Sequence, residues 1–376
     1  MTGSRLGGRP PVGSHGRRAV ANRPDASAVA TARLAPHRAA VLAVDGGNSK
    51  TDVALIAADG TVLGTARGPT CSHQQVGIEA GMAQLAALVG RAADVSGVPG
   101  DRPIADIGVY GLAGADFPSD IRLLTRALGD QGFAERDVVL NDTFIALRAG
   151  TRRPWGIALI CGQGINACAV APDGRSARFD GVGDISGDWG GGGSLGSAAV
   201  AAAVRGRDGR GERTVLERFV PAHFGLRSPA ELTRALYFDR VSELRLSELS
   251  PLIFDAAANG DAVARSIVDR LADELVAMAR ALIRRLRLSR LDPEVVLAGG
   301  VFRTQEPAFH ERLEIGIHAV APNARLVRLA AAPVLGAALI GLDRLAGGTT
   351  DPAVEDRLRR ALAKARLSDG EVPARG

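Results

Sequence analysis

The chain has few cysteines, almost no lysine and no long apolar run. Three cysteines, Cys71, Cys161 and Cys168, are spread over 376 residues. Their spacing matches neither a zinc-ligand pattern nor a disulfide framework, which leaves a reducing, cytoplasmic setting as the expectation. No window of 18 or more apolar residues occurs, so no membrane-spanning helix is expected. The only lysines are Lys50 and Lys364. That bias towards arginine reads as coding preference and not as an adaptation to phosphate. The first 38 residues lack a continuous apolar stretch, so they do not read as a secretory signal. Arg17-Arg18 is not followed by the apolar run that a twin-arginine signal needs. A disordered leader over 1–38 is the expectation.

The formal charge is +5. Seven arginines against Asp25 alone give residues 1–38 a net +6, which leaves about −1 for the rest of the chain. A nearly neutral body has no electrostatic footprint for DNA or RNA. What the chain does have is 46% hydrophobic residues and a length sufficient for two domains.

Periodicity predicts strands over 41–45, 51–57 and 61–66, with Ala58-Asp59-Gly60 as a hairpin turn. A helix over 75–95, a strand over 105–111, a helix over 118–129, a strand over 138–140 and a helix over 142–149 follow. The pattern then restarts. Strands are expected over 155–161, 167–171 and 176–179, then helices over 194–205, 212–221, 229–237, 247–258 and 260–287. A strand over 294–297, a helix over 306–319, a strand over 325–328 and a helix over 334–345 complete the series, with a charged helix over 353–367. A three-strand meander with helices and further strands thus occurs twice. The expected class is α/β, with two ribonuclease-H-like domains, 39–150 and 151–347, a nucleotide cleft between them, and a helix with a polar end over 348–376.

Four segments carry chemistry. The first is Asp45-Gly46-Gly47-Asn48-Ser49-Lys50-Thr51, between two strands. A strand-end Asp can aim a carboxylate at Mg²⁺, and a glycine turn lets backbone N–H groups approach phosphate. On this reading a larger side chain at Gly46 blocks phosphate. The turn leads into a strand, so it is neither a Walker loop nor a Rossmann fingerprint. The second segment is Gly111-Leu112-Ala113-Gly114-Ala115-Asp116 at a strand end, and the third is Cys161-Gly162-Gln163-Gly164-Ile165-Asn166, again between strands. The fourth is Leu297-Ala298-Gly299-Gly300-Val301-Phe302. Each is weak alone. Two phosphate hairpins about 115 residues apart, with a strand-end Asp between them and a Gly-Gly turn after, form a specific combination.

With these motifs the chain resembles the N-acetylglucosamine kinases of the BadF/BadG/BcrA/BcrD ATPase family, within the actin-like sugar-kinase superfamily, over roughly residues 40–346. The resemblance implies an ATP- and Mg²⁺-dependent kinase acting on an amino-sugar hydroxyl, N-acetylglucosamine O6 above all. It implies Asp45 at the metal. It places Gly46, Gly47, Asn48, Ser49, Lys50 and Thr51 with Gly162, Gln163 and Gly164 on the ATP phosphates, and Gly299 and Gly300 beside the adenosine. It makes Asp116 the base, and it sets Ser72, His73, Asp116, Ile165, Asn166 and Asp188 around the sugar. The partner it implies is a small-molecule sugar, with a homodimer as an allowed assembly; nucleic acid and membrane are not implied.

Structural alternatives exist for several of these residues. Asp45 can cap its turn, Asp116 can cap the helix at 118–129, and Asp142 can cap the helix it opens. Asp188 can be a turn residue, with Asp184 as its rival for the sugar. The sugar segments also depart from the family pattern. Ser72 precedes His73 where Asn is usual, Gln163-Gly164-Ile165 replaces Thr-Gly-Ser, and Gly187-Asp188-Trp189-Gly190-Gly191-Gly192-Gly193 replaces Gly-Asp-Glu-Gly-Ser. These departures bear on the acceptor more than on the reaction. Two rival functions are an ATPase that activates a redox partner and a non-catalytic sugar sensor.

Overall fold

The computed structural model describes residues 38–364. The expected leader up to residue 37 and the polar end beyond 364 lie outside the described residues.

Two five-stranded sheets organise the chain. The first contains β1 (Ala39–Gly46), β2 (Lys50–Ile56), β3 (Val62–Pro69), β4 (Ala105–Leu112) and β5 (Asp137–Asn141), in the order β3-β2-β1-β4-β5. The second contains β6 (Gly156–Cys161), β7 (Ile165–Val170), β8 (Ser176–Arg178), β9 (Glu294–Ala298) and β10 (Arg325–Arg328), in the order β10-β9-β6-β7-β8. In each, a meander of three antiparallel strands is extended by two parallel strands on the far side of the first. Central β1 is buried along its whole length, which is why it reads as a near-continuous apolar run.

The helices are α1 (His73–Val76), α2 (Ile78–Ser96), α3 (Pro118–Gln131), α4 (Asp142–Gly150), α5 (Gly191–Asp208), α6 (Leu216–His223), α7 (Pro229–Tyr237), α8 (Ser250–Ala258), α9 (Ala262–Arg285), α10 (Pro307–His318), α11 (Val334–Leu345) and α12 (Pro352–Lys364). Helices α2 and α3 cover one face of the first sheet through Leu85, Leu88, Leu124 and Leu128. The insertion α5–α9 packs its apolar faces on the second sheet. Along α9 the buried Ile267, Leu271, Leu275 and Leu282 recur at helical spacing.

Helix α4 is shared. Its Ile145 and Ala149 join the first sheet and α11, while Leu147 packs with Ala158, Cys168 and Val296 of the second sheet. Helices α11 and α12 follow the second sheet in sequence, yet pack on the first through Val334, Leu339, Leu358 and Leu362. A cut near residue 150 therefore separates the sheets but not the helices. Apolar periodicity shows that a helix has a buried face, not which sheet will cover it.

Several helix boundaries differ from expectation, the helix over 75–95 being α1 and α2 broken at Gly77, and two further differences have a clear local cause. The single helix expected over 247–258 is a 3₁₀ segment, Glu243–Leu249, followed by α8, because Pro251 sits in a first turn and cannot continue an earlier helix. The helix expected from 212 starts at Leu216. The Asp261 carboxylate accepts from the Thr214 hydroxyl at 2.9 Å and from the Val215 N–H at 2.8 Å, holding this stretch as the lead-in.

A buried ion network fastens α4, α11 and α12. Arg148 donates from Nε to Asp343 and from Nη2 to Glu355, each at 2.8 Å, and the latter two are 7% and 3% exposed. Replacing Arg148 with Met leaves the buried Asp343 without a cation among the described residues, while Glu355 keeps Arg359 at 2.8 Å, and should cost about 3–5 kcal/mol. The check is a fall in the urea midpoint at unchanged slope.

Candidate active site

The first hairpin turn, from Gly46 to Lys50, stands clear of the protein at Asn48, Ser49 and Lys50. The Gly47 N–H donates to Lys50 O at 2.9 Å, closing the turn. Gly46 also answers to the core. A Cβ there would lie 2.6 Å from Leu112 Cδ2 and 2.9 Å from Cys71 Sγ, so a larger side chain pushes into the core. Thr51 is fully buried, and its Oγ1 accepts from the Cys71 N–H at 2.9 Å. Thr70 Oγ1 donates to Gly47 O at 2.7 Å. These two bonds tie the segment carrying Ser72 and His73 to the turn.

Asp45 ends β1 with 8% exposure. No hydrogen bond reaches its carboxylate among the described residues. Burial pushes the carboxyl up to about 7; Lys50 and Arg67 pull it back, and Asp142 and Asp52 add to the rise. Asp52, wholly buried, was not singled out by the sequence reading. Arg67 grips it through Nε at 2.5 Å and Nη2 at 2.9 Å, and the half-exposed Lys50 ammonium lies on the same carboxylate. Two cations on one carboxylate leave a unit of positive charge beside the turn.

The second turn is held by α5. Gly192 and Gly193 donate to the carbonyls of Gly162 and Gln163 at 2.8 and 2.9 Å. Positions 162 and 164 face open space. Gly299, at φ +111°, brings the turn after β9 onto β6, where a Cβ would be 2.2 Å from Cys161 O; only glycine tolerates this geometry. Around these turns lie two adjoining cavities. One, of about 730 Å³, is walled by Gly162, Gln163, Ser250, Phe254 and Val301. The other, of about 470 Å³, is walled by Asp45, Asp142, Thr143 and Ala298. Gly300 and Arg303 line both, so the two share a wall.

Asp116 does not cap α3. That helix is entered through Phe117, whose N–H donates to Asp120 at 2.8 Å. The Asp116 carboxylate instead receives Asn141 Nδ2 at 3.0 Å and Gln74 Nε2 at 3.4 Å. Arg178, arriving from β8 of the second sheet, lies 3.8 Å from it. Burial raises the carboxyl; Arg178, Gln74 and His73 lower it, and Asp120 raises it further. Asp142 is not a cap either, since Asn141 Oδ1 accepts from the Thr143 N–H at 3.2 Å. Asp142 is thereby free to face the cavity, and burial pushes its carboxyl up to about 6, with Asp116 adding to the rise. Neither Asn141 nor Arg178 carries a sequence signal of its own, because their roles come from elements that meet only in the fold.

Near Asp116, Ser72 Oγ and His73 Nδ1 are buried without a hydrogen-bond partner among the described residues. Buried orphans of this kind cost about 1–3 kcal/mol each, and they await an acceptor or donor. The remaining sugar candidates are packed or bonded within the protein. The Ile165 side chain is 5% exposed and belongs to the core of the second sheet. Asn166 spends its Oδ1 on the Ala167 N–H at 2.7 Å. Asp188 is 8% exposed and engaged by the Ser186 hydroxyl, and Asp184 points to solvent. Cys71, Cys161 and Cys168 are free and buried, and burial pushes the thiols of Cys161 and Cys168 up to about 12. They pack the core.

Residues 42–341 match the sequence profile of the BadF/BadG/BcrA/BcrD ATPase family. The chain belongs to this family. The match to the BadF/BadG/BcrA/BcrD ATPases begins inside β1 and ends inside α11, so it takes in both turns, both cavities and Asp116. An N-acetylmuramic acid/N-acetylglucosamine kinase of Clostridium acetobutylicum is 32% identical over 191 residues, which is 51% of this chain and 62% of that protein. An N-acetyl-D-glucosamine kinase of Dictyostelium discoideum is 26% identical over 313 residues, 80% of this chain and 97% of that one. The crystal structure of a candidate N-acetylglucosamine kinase from Chromobacterium violaceum superposes with a TM-score of 0.64 at 26% identity, covering 82% of this chain and all of that one. No helix among the described residues is long and apolar enough to cross a membrane.

Proposed function

We infer that this chain is an ATP-dependent sugar kinase that phosphorylates a hydroxyl of an N-acyl amino sugar, with O6 of N-acetylglucosamine as the leading acceptor. One observation carries the reading: glycine turns of the second sheet line two adjoining cavities, Asp45 at the end of β1 enters one of them, and Asp116 is pinned on the side of the unsatisfied Ser72 and His73. The names of the Clostridium and Dictyostelium relatives agree with it.

In this reading the 730 Å³ cavity takes the adenosine beside Gly300, with Gly299 lining the adjoining cavity. The backbone N–H groups of the turns at 46–51 and 162–164 face the phosphates, with Lys50 released to them because Arg67 still neutralises Asp52. Asp45 fits a divalent cation. It is a buried carboxylate without a bonded partner, raised to about 7 by burial, and a neighbouring cation relieves that strain. Asp45 would be the protein ligand of Mg²⁺ there. Bound there, Mg²⁺ supplies charge neutralisation on the phosphates.

Asp116 accepts the proton of the attacking sugar hydroxyl. The sugar oxygen bonds to the γ-phosphorus as the bond from that phosphorus to the β–γ bridging oxygen breaks, and ADP leaves. The two sheets, each with the helices packed on it, closing about α4 would exclude water from this step.

An ADP-release screen tests the function. With N-acetylglucosamine, N-acetylmuramic acid, N-acetylmannosamine, glucosamine and glucose as acceptors, ADP release is expected to rise only with N-acyl amino sugars. Release that is indifferent to every sugar would return the chain to an ATPase that drives a partner.

A further inference from the structure

We propose that Arg178 is the positioning residue of the Asp116 carboxylate, carried on the second sheet to a base that belongs to the first. The proposal rests on the kinase reading above.

Three observations carry it. The first is how the guanidinium is held. Nη1 donates to Phe179 O at 2.6 Å and to Asp180 O at 3.0 Å, and Nη2 donates to the backbone carbonyl of Asp116. All three acceptors are neutral. The second is its charge partner. Asp116, at 3.8 Å, is the only carboxylate paired with Arg178 among the described residues. The side chains are 14% and 12% exposed, so solvent screens the pair little. The third is the connectivity. Arg178 and Asp116 are 62 residues apart and lie on different sheets. The link therefore exists only when β8 is seated against the loop that follows β4.

Asn141 and Gln74 hold the carboxylate from within the first sheet and its helices, through bonds of 3.0 and 3.4 Å. They orient it but carry no charge. The charged and titratable groups around Asp116 are His73 of α1, Asp120 of α3, Asp142 of α4 and Arg178 of β8. Two of these are acids that disfavour an ionised Asp116. Arg178 alone supplies a permanent positive charge. A base must be ionised before the sugar arrives, and burial works against that. Arg178 thus does two things with one head group: it fixes the loop by its bond to the Asp116 carbonyl, and it keeps the carboxylate ready to accept a proton. The carboxylate still has lone pairs for the sugar hydroxyl, because Asn141 and Gln74 use one oxygen each.

The test is the pH dependence of kcat/KM for N-acetylglucosamine at saturating ATP, which reports the ionisation of free enzyme groups. In R178Q, kcat/KM at pH 7 should fall about ten- to a hundredfold, and the acid limb should move up by about one pH unit. Activity should recover partly towards pH 9. ATP affinity by calorimetry should stay within about twofold, because Arg178 lines neither nucleotide cavity. R178K keeps the charge but not the planar fork, so it should restore the acid limb while kcat stays reduced. A merely structural role predicts a lower rate with the limb unmoved and no difference between Gln and Lys; that result overturns the proposal. If R178Q does not fold, the limb of R178K decides in the same way against R178M. D116N is measured alongside. An active D116N refutes the base itself, whereas an inactive D116N with an unmoved limb in R178Q refutes only the role of Arg178.

Discussion

Replacing Asp116 with Asn is expected to lower kcat by about 10²–10⁴-fold while leaving ATP affinity nearly unchanged. Asn has the shape of Asp and its one amide oxygen can still accept from Asn141 Nδ2, the 3.0 Å bond, while the longer 3.4 Å bond from Gln74 Nε2 is given up. It cannot take a proton. Helix α3 is unaffected, because its first turn is capped by Asp120. Loss of stability therefore cannot explain loss of rate, and a melting curve on the same sample checks this. Near-normal kcat in the folded variant would remove Asp116 from the chemistry.

The second large effect is expected at Asp45, and it has two signs. Asp45→Asn should cut turnover by about 10²–10³-fold, because a preorganised charge opposite the transferring phosphoryl group is lost. The same change should stabilise the empty protein. A carboxyl raised to about 7 in the folded state binds its proton more tightly there than in the unfolded chain, where its value is near 3.9. Folding is therefore opposed increasingly as pH rises from about 4 to 7, and the full cost is present above that window. Asn carries no charge and escapes it. At pH 8, without nucleotide or divalent cation, the variant should be more stable by about 1–3 kcal/mol; at pH 4 the difference should vanish. Chemical denaturation at the two pH values measures this. A variant that is inactive and less stable at pH 8 would place Asp45 in the fold instead of the site.

Much of this was legible in the sequence, for physical reasons. The apolar runs that became β1, β4, β6 and β9 are buried on both faces, so they read without ambiguity. The two glycine turns were visible because they interrupt such runs at equivalent places. The assignment of helices to sheets was not visible. Helix α11 follows the second sheet in sequence but packs on the first, and periodicity carries no address. The neighbours of Asp116 were hidden for the same reason. Asn141 looked like a strand-end residue beside the more conspicuous Asp142, and Arg178 was one arginine among many. Gly46 carries a second constraint that its motif does not show: its absent side chain makes room for Leu112 and Cys71. A glycine in a ligand-binding turn answers to the core as well as to the ligand.

The most direct measurement follows the phosphoryl group. With γ-labelled ATP, Mg²⁺ and N-acetylglucosamine, the account predicts that label appears on O6 of the sugar in step with ADP, and that D116N abolishes both. Label released only as inorganic phosphate, at the same rate with and without sugar, would contradict it.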